Sequence, residues 1–561
     1  MRVASLSDLP VGSMKHVRVG DHRVLLVRTS DGVSALDHAC PHQGYGLTQG
    51  YLDAEAGLVT CAWHNWKFRV DDGRCVLGEE DVRTHDVRID GDDVHVEVHL
   101  PSAAQERERL LPSLRRGIKH QYNGQIARDV VRLLRADASP AELVWEGIAY
   151  GAPRGEFGWG HSLAVAADAL EVLADYDGDE RAFPIVNALA GVAETERRRP
   201  LRSQPAPVAS LPADPEATFR QLVEAEDVDG AEALLLGALD AGMTAEQLRP
   251  WILGAVSEHH LSFGHMAIYT QKAYSLLDQL GHDRAATILP HLVPAIVWST
   301  REDTLPYFRA ATREVLALDP SALAAAPDRR STGWVDDDGA LRAAILEANG
   351  PVPVEAAARA VRDGAGVEGL LDTVALAISE RLLRYDPAEE LAPTDFGWLD
   401  MTHVLTYADA ARWAWRAEPG PDTARLALWT VLMAHDSGRA EKRRPWTAVT
   451  PALEPKQGDL RAAVEAGAAE EAAALALGLD AEDAGRQLER AALSDLAGSF
   501  IVSAHLVKTA HAARREAAEV GSNLPLAAAA RFCASPRVER FVGSSTAEAI
   551  HLAQRGTPLE R

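Results

Sequence analysis

Two thiol–imidazole pairs constrain the front of this chain more than any other feature. Cys40-x-His42 is followed, eighteen residues on, by Cys61-x-x-His64, in a chain of 561 residues that holds four cysteines in all. For these side chains to act together, two loops must meet on one small scaffold. The surrounding sequence supplies it. HRVLLVRT, GVSALDHAC, LVTCAW, KFRV, RCVLG and DDVHVEVHL are short and rich in Val and Leu, punctuated by Asp31-Gly32, Asp72-Gly73 and Asp90-Gly91. Residues 1 to about 100 are therefore expected to form a small antiparallel sandwich or barrel that carries each pair on a loop.

Two cysteines and two histidines suit a tetrahedral zinc site. They also suit a [2Fe–2S] centre in which two histidines replace two cysteines on one iron. Three details favour the cluster. Cysteine and histidine alternate within each pair. Pro41 and Gly44 supply a tight turn around the first pair. Trp63 and Trp66, beside the second pair, can shield a cluster from water. On these residues, and on the DGRCV turn at 72–76, the stretch 1–100 resembles Rieske-type ferredoxins. The resemblance implies that Cys40 and Cys61 bind one iron and His42 and His64 the other. It also locates departures. Where the high-potential branch has two further cysteines joined as a disulfide, this sequence has Tyr45 and Trp63. Where that branch has a serine and a tyrosine donating to the cluster sulfurs, it has Asn65 and Phe68, and Phe68 has no hydroxyl. Fewer donors lower the potential, so a low-potential, ferredoxin-like donor is implied. Cys75 is left over and reads as a small buried hydrophobe.

Around residue 101 the texture changes. PSAAQERERLLPSLRR is charged, and beyond it Ala, Leu, Glu and Arg recur at helical spacing. The expected organisation is multidomain: a small all-β domain at 1–100, a linker at 101–118 and a large all-α domain at 119–561. Helices are expected over 120–135, 157–177, 216–238, 244–281, 284–298, 367–384, 399–417, 422–435 and 497–519, with loop-rich stretches at 198–217 and 318–354. With 82 acidic and 57 basic side chains the formal charge is −25, which repels nucleic acid and anionic membranes. No run of eighteen apolar residues occurs, and the opening MRVASLSDLPVG has no apolar leader segment. A soluble, cytoplasmic protein with neither nucleic acid nor membrane as partner is expected.

An electron carrier followed by some 460 further residues raises the question of the acceptor. Histidines stand in four apolar helical contexts: His161 in EFGWGHSLAVAADAL, His259, His260 and His265 in SEHHLSFGHMAIYTQKAYSLL, His403 in GWLDMTHVLTYADAARWAW, and His505 with His511 in FIVSAHLVKTAHAARREAAE. A buried imidazole needs a partner, which is either a hydrogen bond in the core or a metal. Lys508 shares a helix face with His505. If buried, its pKa falls, and a neutral amine can take up carbon dioxide as a carbamate, an oxygen ligand; a lysine snorkelling to the surface is the alternative. GHMAIYTQKAYSLL, MTHVLTYADAARWA and HLVKTAHAA resemble the questin oxidase-like family of helical non-heme iron proteins. Carried over, the resemblance makes His265, His403 and His505 ligands, Lys508 the carboxylated lysine and His161 the early histidine. The family's further histidine is replaced here by Tyr269, and His260 is expected to supply the missing imidazole. Lys508, His260 and Tyr269 are thus the candidate catalytic residues.

The function expected is an O2-dependent oxidoreductase of monooxygenase or dioxygenase type. Electrons pass from the [2Fe–2S] cluster to a histidine-held non-heme iron that oxidises a small organic, apolar or aromatic, substrate. The sequence has no nucleotide-phosphate loop, so an external ferredoxin or flavin reductase supplies the electrons. A second reading makes the helical region a docking scaffold without a metal. A ring-hydroxylating oxygenase site is matched only by Glu258-x-His260-x(4)-His265, with the carboxylate misplaced. A ferritin-like diiron site is matched by one pair, Glu548 and His551, where two are needed.

Overall fold

Short runs of valine and leucine mark the strands of the first hundred residues, and the central strand buries both faces, each in its own set. In the computed structural model, which describes residues 1–387, 397–439 and 451–536, strand β3 (His22–Thr29) shows this directly. Val24 and Leu26 pack with Ala4, Val17, Val94 and Val96. Leu25 and Val27 point the other way, into a cluster with Leu36, Leu47, Val59, Phe68 and both Cys40 and Cys61. Period-two alternation puts successive side chains on opposite faces. Six strands form one antiparallel sheet in the order β1 (Arg2–Ser5), β10 (Asp93–Glu97), β9 (Thr84–Asp90), β4 (Gly32–Asp37), β3, β2 (Met14–Val19). Four short strands, β5 (Tyr51–Asp53), β6 (Leu58–Thr60), β7 (Lys67–Arg69) and β8 (Cys75–Leu77), form a second. The two cysteine–histidine loops emerge from the second core, one between β4 and β5 and the other between β6 and β7. Cys75 is half-buried against the same core.

The chain divides into two compact units at Leu110/Leu111. That division falls inside a helix, Ala103–His120, so the stretch expected as a linker at 101–118 is helical over most of its length, Pro112 included. Beyond it the described residues form helices, as the Ala- and Leu-rich spacing predicts, and no described helix is long and apolar enough to cross a membrane. Three expected helices are broken. The stretch 216–238 forms Pro215–Glu224 and Val228–Asp240, separated where Glu226 takes a positive φ and Asp227 caps the second helix through Gly230. The stretch 244–281 forms Ala245–Ser257 and His265–Leu280, separated by an irregular segment at 258–264. The stretch 284–298 breaks into the short segments Ala285–Ile288, Leu289–His291 and Leu292–Val297.

Four helices of the second unit pack in a closed ring that follows chain order. His161–Glu171 touches His265–Leu280, which touches Trp398–Ala417, which touches Phe500–Val520, which returns to the first. Each presents one histidine at the same level.

Two candidate metal centres

In the first unit both loops make the same turn. The Cys40 N–H donates to the Tyr45 carbonyl (2.8 Å) and the Gly44 N–H to the Cys40 carbonyl (2.8 Å); the Cys61 N–H donates to the Trp66 carbonyl (2.8 Å) and the Asn65 N–H to the Cys61 carbonyl (3.2 Å). The fourth residue after each cysteine is left-handed, Gly44 at φ 77° and Asn65 at φ 60°. Asn tolerates that region better than most side chains, which accounts for its presence at 65. The turns bring the His42 and His64 rings together, centroids 4.4 Å apart. Both cysteines are 2% exposed, whereas His42 is half-buried and His64 exposed. Burial, with Cys61 alongside, pushes the Cys40 thiol up to about 12. Trp66 stacks on His42 (4.7 Å) and covers it as expected. Trp63 does not cover the site: it is 57% exposed and stacks on Tyr45 at 4.3 Å. That stack joins the two loops at the positions where the resemblance places a disulfide in the high-potential branch. Phe68 is fully buried in the core below. Two thiols and two imidazoles converging from twin turns fit a [2Fe–2S] cluster.

In the second unit His161, His265, His403 and His505 each offer one ring nitrogen, all within 4.8 Å of one another. Their Nε2 atoms stand in series: His161 to His265 at 3.0 Å, His265 to His403 at 3.0 Å and His403 to His505 at 2.9 Å. The opposite ring nitrogens are already engaged. The His265 Nδ1–H donates to the Ser262 carbonyl, that of His403 to Leu399 and that of His505 to Ile501, each at 2.6 Å. A neutral imidazole with Nδ1 protonated carries a lone pair on Nε2. His161 differs, because its Nδ1 lies 3.1 Å from the Tyr269 hydroxyl, which can accept or donate. Even if His161 carries its proton on Nε2, only the first of the three contacts becomes a hydrogen bond. The other two set lone pair against lone pair. Burial, with the Lys508 charge and the neighbouring imidazoles, holds the pKa values of His161, His403 and His505 well below the usual range, and burial with Lys508 lowers that of His265 to about 3. Protonation therefore does not relieve the crowding. A cation in the middle does: with metal–nitrogen bonds of about 2.0–2.1 Å, adjacent imidazole nitrogens at right angles sit about 3 Å apart. The residues fit a metal.

Lys508 lies 2% exposed on the helix of His505, and its Nζ finds no hydrogen-bond partner among the described residues. Burial lowers its pKa to about 7, with Asp168 opposing and Lys272 reinforcing the shift. Asp168 and Lys272 form a buried ion pair at 2.6 Å, each seven residues, two helical turns, beyond its own helix's histidine. At a similar level Gln271 donates to Asp409 (2.8 Å) and Arg515 pairs with Asp409 (3.0 Å). His511 bridges Glu171 (2.6 Å) and Glu489 (2.7 Å). A layer of buried ion pairs thus underlies the histidine layer.

The expectation for His260 is corrected. It is not among the four; its ring lies between Phe308 and Tyr407, centroids 5.8 Å from each, with Glu302 at 3.0 Å from its Nε2. His259 pairs with Asp303 and Glu224. Glu548 and His551 lie outside the described residues. What sequence reasoning missed is the segment that divides the expected helix 244–281 in two. Ser262, Phe263 and Gly264 are consecutively left-handed (φ 42°, 57° and 83°) immediately before His265. Gly264 is the one residue there that betrays it, since a Cβ would meet the Tyr407 ring at 2.4 Å.

Residues 1–88 match the family profile described as the Rieske [2Fe-2S] domain. The ferredoxin component of the alkene monooxygenase system of Xanthobacter autotrophicus (strain ATCC BAA-1158 / Py2) is 40% identical over 72 residues, 13% of this chain and 58% of that protein. Human apoptosis-inducing factor 3 is 34% identical over 96 residues, 17% of this chain and 16% of that protein. The chain therefore spans little more than half of the first relative and a sixth of the second. Among solved structures, the ferredoxin of carbazole 1,9a-dioxygenase from Nocardioides aromaticivorans IC177 is 31% identical, covering 18% of this chain and 97% of that one, with a TM-score of 0.17.

Proposed function

We propose that the Rieske domain at residues 1–88 is the electron donor of an O2-dependent oxidoreductase whose second centre is a non-heme iron held by His161, His265, His403 and His505. Cys40 and Cys61 hold one iron of the cluster and His42 and His64 the other. The single observation that supports the second centre is the convergence of Nε2 atoms whose opposite nitrogens are already engaged. Imidazole suits iron, copper, zinc and nickel alike, and a one-electron donor in the same chain favours a redox metal over zinc. Iron bound there would supply the activation of O2 for oxidation of an organic substrate.

The chain's own residues prepare that chemistry. Three main-chain carbonyls fix the tautomers and aim the lone pairs. Tyr269 holds the proton shared with His161 Nδ1. The apolar helices exclude water. Lys508, with a pKa near 7, presents a neutral amine; forming its N–C bond to CO2 releases one proton and leaves a carboxylated side chain as an oxygen ligand. The exposed His64 edge is where an external ferredoxin or flavin reductase delivers electrons. A resemblance to the questin oxidase-like family, with its histidine-held iron, supports the same assignment.

The test is total iron together with paramagnetic resonance of the dithionite-reduced protein. Iron beyond the two of the cluster is expected in the wild type. His403→Ala loses that excess while the visible Rieske spectrum is kept. A wild type holding only the cluster iron, with no other metal, defeats the proposal and leaves the helical unit a docking scaffold.

A further inference from the structure

The four imidazoles are oriented by two different means. His403 and His505 lie within their helices, so a carbonyl four residues back is delivered by the helix itself. His161 and His265 are the first residues of their helices, and no preceding helical turn exists to supply one. His161 uses Tyr269. His265 uses the Ser262 carbonyl, which is in place only because Ser262, Phe263 and Gly264 run left-handed. Such a run is costly for serine and phenylalanine and persists where its surroundings over-determine it.

We propose that Glu302 is the positioning residue of the His265 corner: its carboxylate holds the left-handed turn that aims the His265 imidazole and seats the Phe263 ring against the histidines. The inference rests on the metal reading given above. Glu302 is 6% exposed. Its Oε2 accepts the Phe263 N–H (3.0 Å) and lies 3.0 Å from His260 Nε2, and its own N–H donates to the His260 carbonyl (2.9 Å). Asp303 accepts from the His260 N–H (3.1 Å) and from His259 Nδ1 (2.9 Å). The Ser262 N–H donates to the Thr300 carbonyl, and the Thr300 N–H to the Ser262 hydroxyl, each at 2.9 Å. Within this clamp Glu302 alone reaches the main chain of the left-handed phenylalanine from a side chain. The ring so placed lies face-on to His403, centroids 5.8 Å apart. It also walls a cavity of about 40 Å³ shared with His260, Glu302, Tyr307 and Asp400.

The test compares full-length wild type, Glu302→Ala and Glu302→Gln by chelator competition for the excess iron. Nitric oxide is added to the ferrous protein as a resonance probe, and the Rieske spectrum serves as the folding control. Glu302→Ala is expected to weaken metal binding by about 10–100-fold, the usual effect of losing a residue that supports a ligand, and to alter the nitric oxide signal. Glu302→Gln keeps an acceptor oxygen for the Phe263 N–H and is expected to stay close to wild type. Phe263→Gly provides the second arm. Glycine adopts positive φ freely, so on that background Glu302→Ala should cost no more than about 3-fold, a coupling that a double-mutant cycle reads. Equal losses on both backgrounds, or Glu302→Ala with wild-type affinity and signal, overturn the inference alone. A wild type with no metal at the histidines overturns the metal reading and this inference with it.

Discussion

Lys508 shows how far a single side chain constrains chemistry. An amine enclosed with no hydrogen-bond partner among the described residues is costly, and its lowered pKa makes it nucleophilic near neutrality. Carboxylation would turn it into an anionic oxygen ligand, whose charge a cation held among the four imidazoles would balance. Lys508→Met, which keeps the length and removes the amine, is therefore expected to abolish a CO2 adduct in native mass spectrometry and to weaken the excess iron by about 10-fold or more. An unmodified wild-type lysine contradicts the carboxylate role and leaves the four-histidine centre intact. At this scale much was legible in the sequence. His161, His265, His403, His505 and Lys508 stood out because imidazole and ammonium groups amid Ala, Val and Leu need a reason to be there. His260 stands in the same context yet lies elsewhere, because neighbours in sequence do not tell whether a ring turns toward the other histidines or toward Phe308 and Tyr407.

Helices are read from periodicity, and periodicity does not report left-handed residues. The apolar spacing of 244–281 runs across the break at 258–264, so one long helix was the natural expectation, and the segment that orients His265 was hidden within it. The break at Asp227 was more legible, since Asp is a favoured N-cap residue. Pairing between helices was not legible at all. His511 binds the Phe500–Val520 helix to Glu171 on the His161 helix and to Glu489. Burial alone lowers its pKa, but those two carboxylates outweigh burial and raise it to about 9, with Asp168 assisting and Lys272 opposing. A folded-state pKa above the unfolded value near 6.5 means that the stabilisation is fully present below about pH 6.5 and fades as pH rises through 9. The contribution is of order 3 kcal/mol. Thermal melting of the wild type should therefore decline from pH 6.5 to 9.5, and His511→Gln should melt lower with a flatter profile across that window. Parallel profiles would remove His511 from this role.

At the scale of the whole molecule, the chain comprises two units with separate cores. The metal ligands assigned to each lie wholly within it. A fragment of residues 1–110 is expected to fold with the cluster's iron and visible spectrum and to carry none of the excess iron; a colourless, unfolded fragment would show that the first unit depends on the second. The shift from short Val-rich strands to Ala-rich helices made this division visible near residue 101, whereas the helix that spans the boundary was masked by its charges. The closed ring of four helices has a further consequence for biogenesis. Successive histidines are 104, 138 and 102 residues apart, so the last wall leaves the ribosome long after the first. Until it docks, three imidazoles face an open cleft, and such long-range closure is slow. The cluster domain, made first, can mature while translation continues, but a metal held by the four histidines would be sealed among the helices only after synthesis reaches the final one.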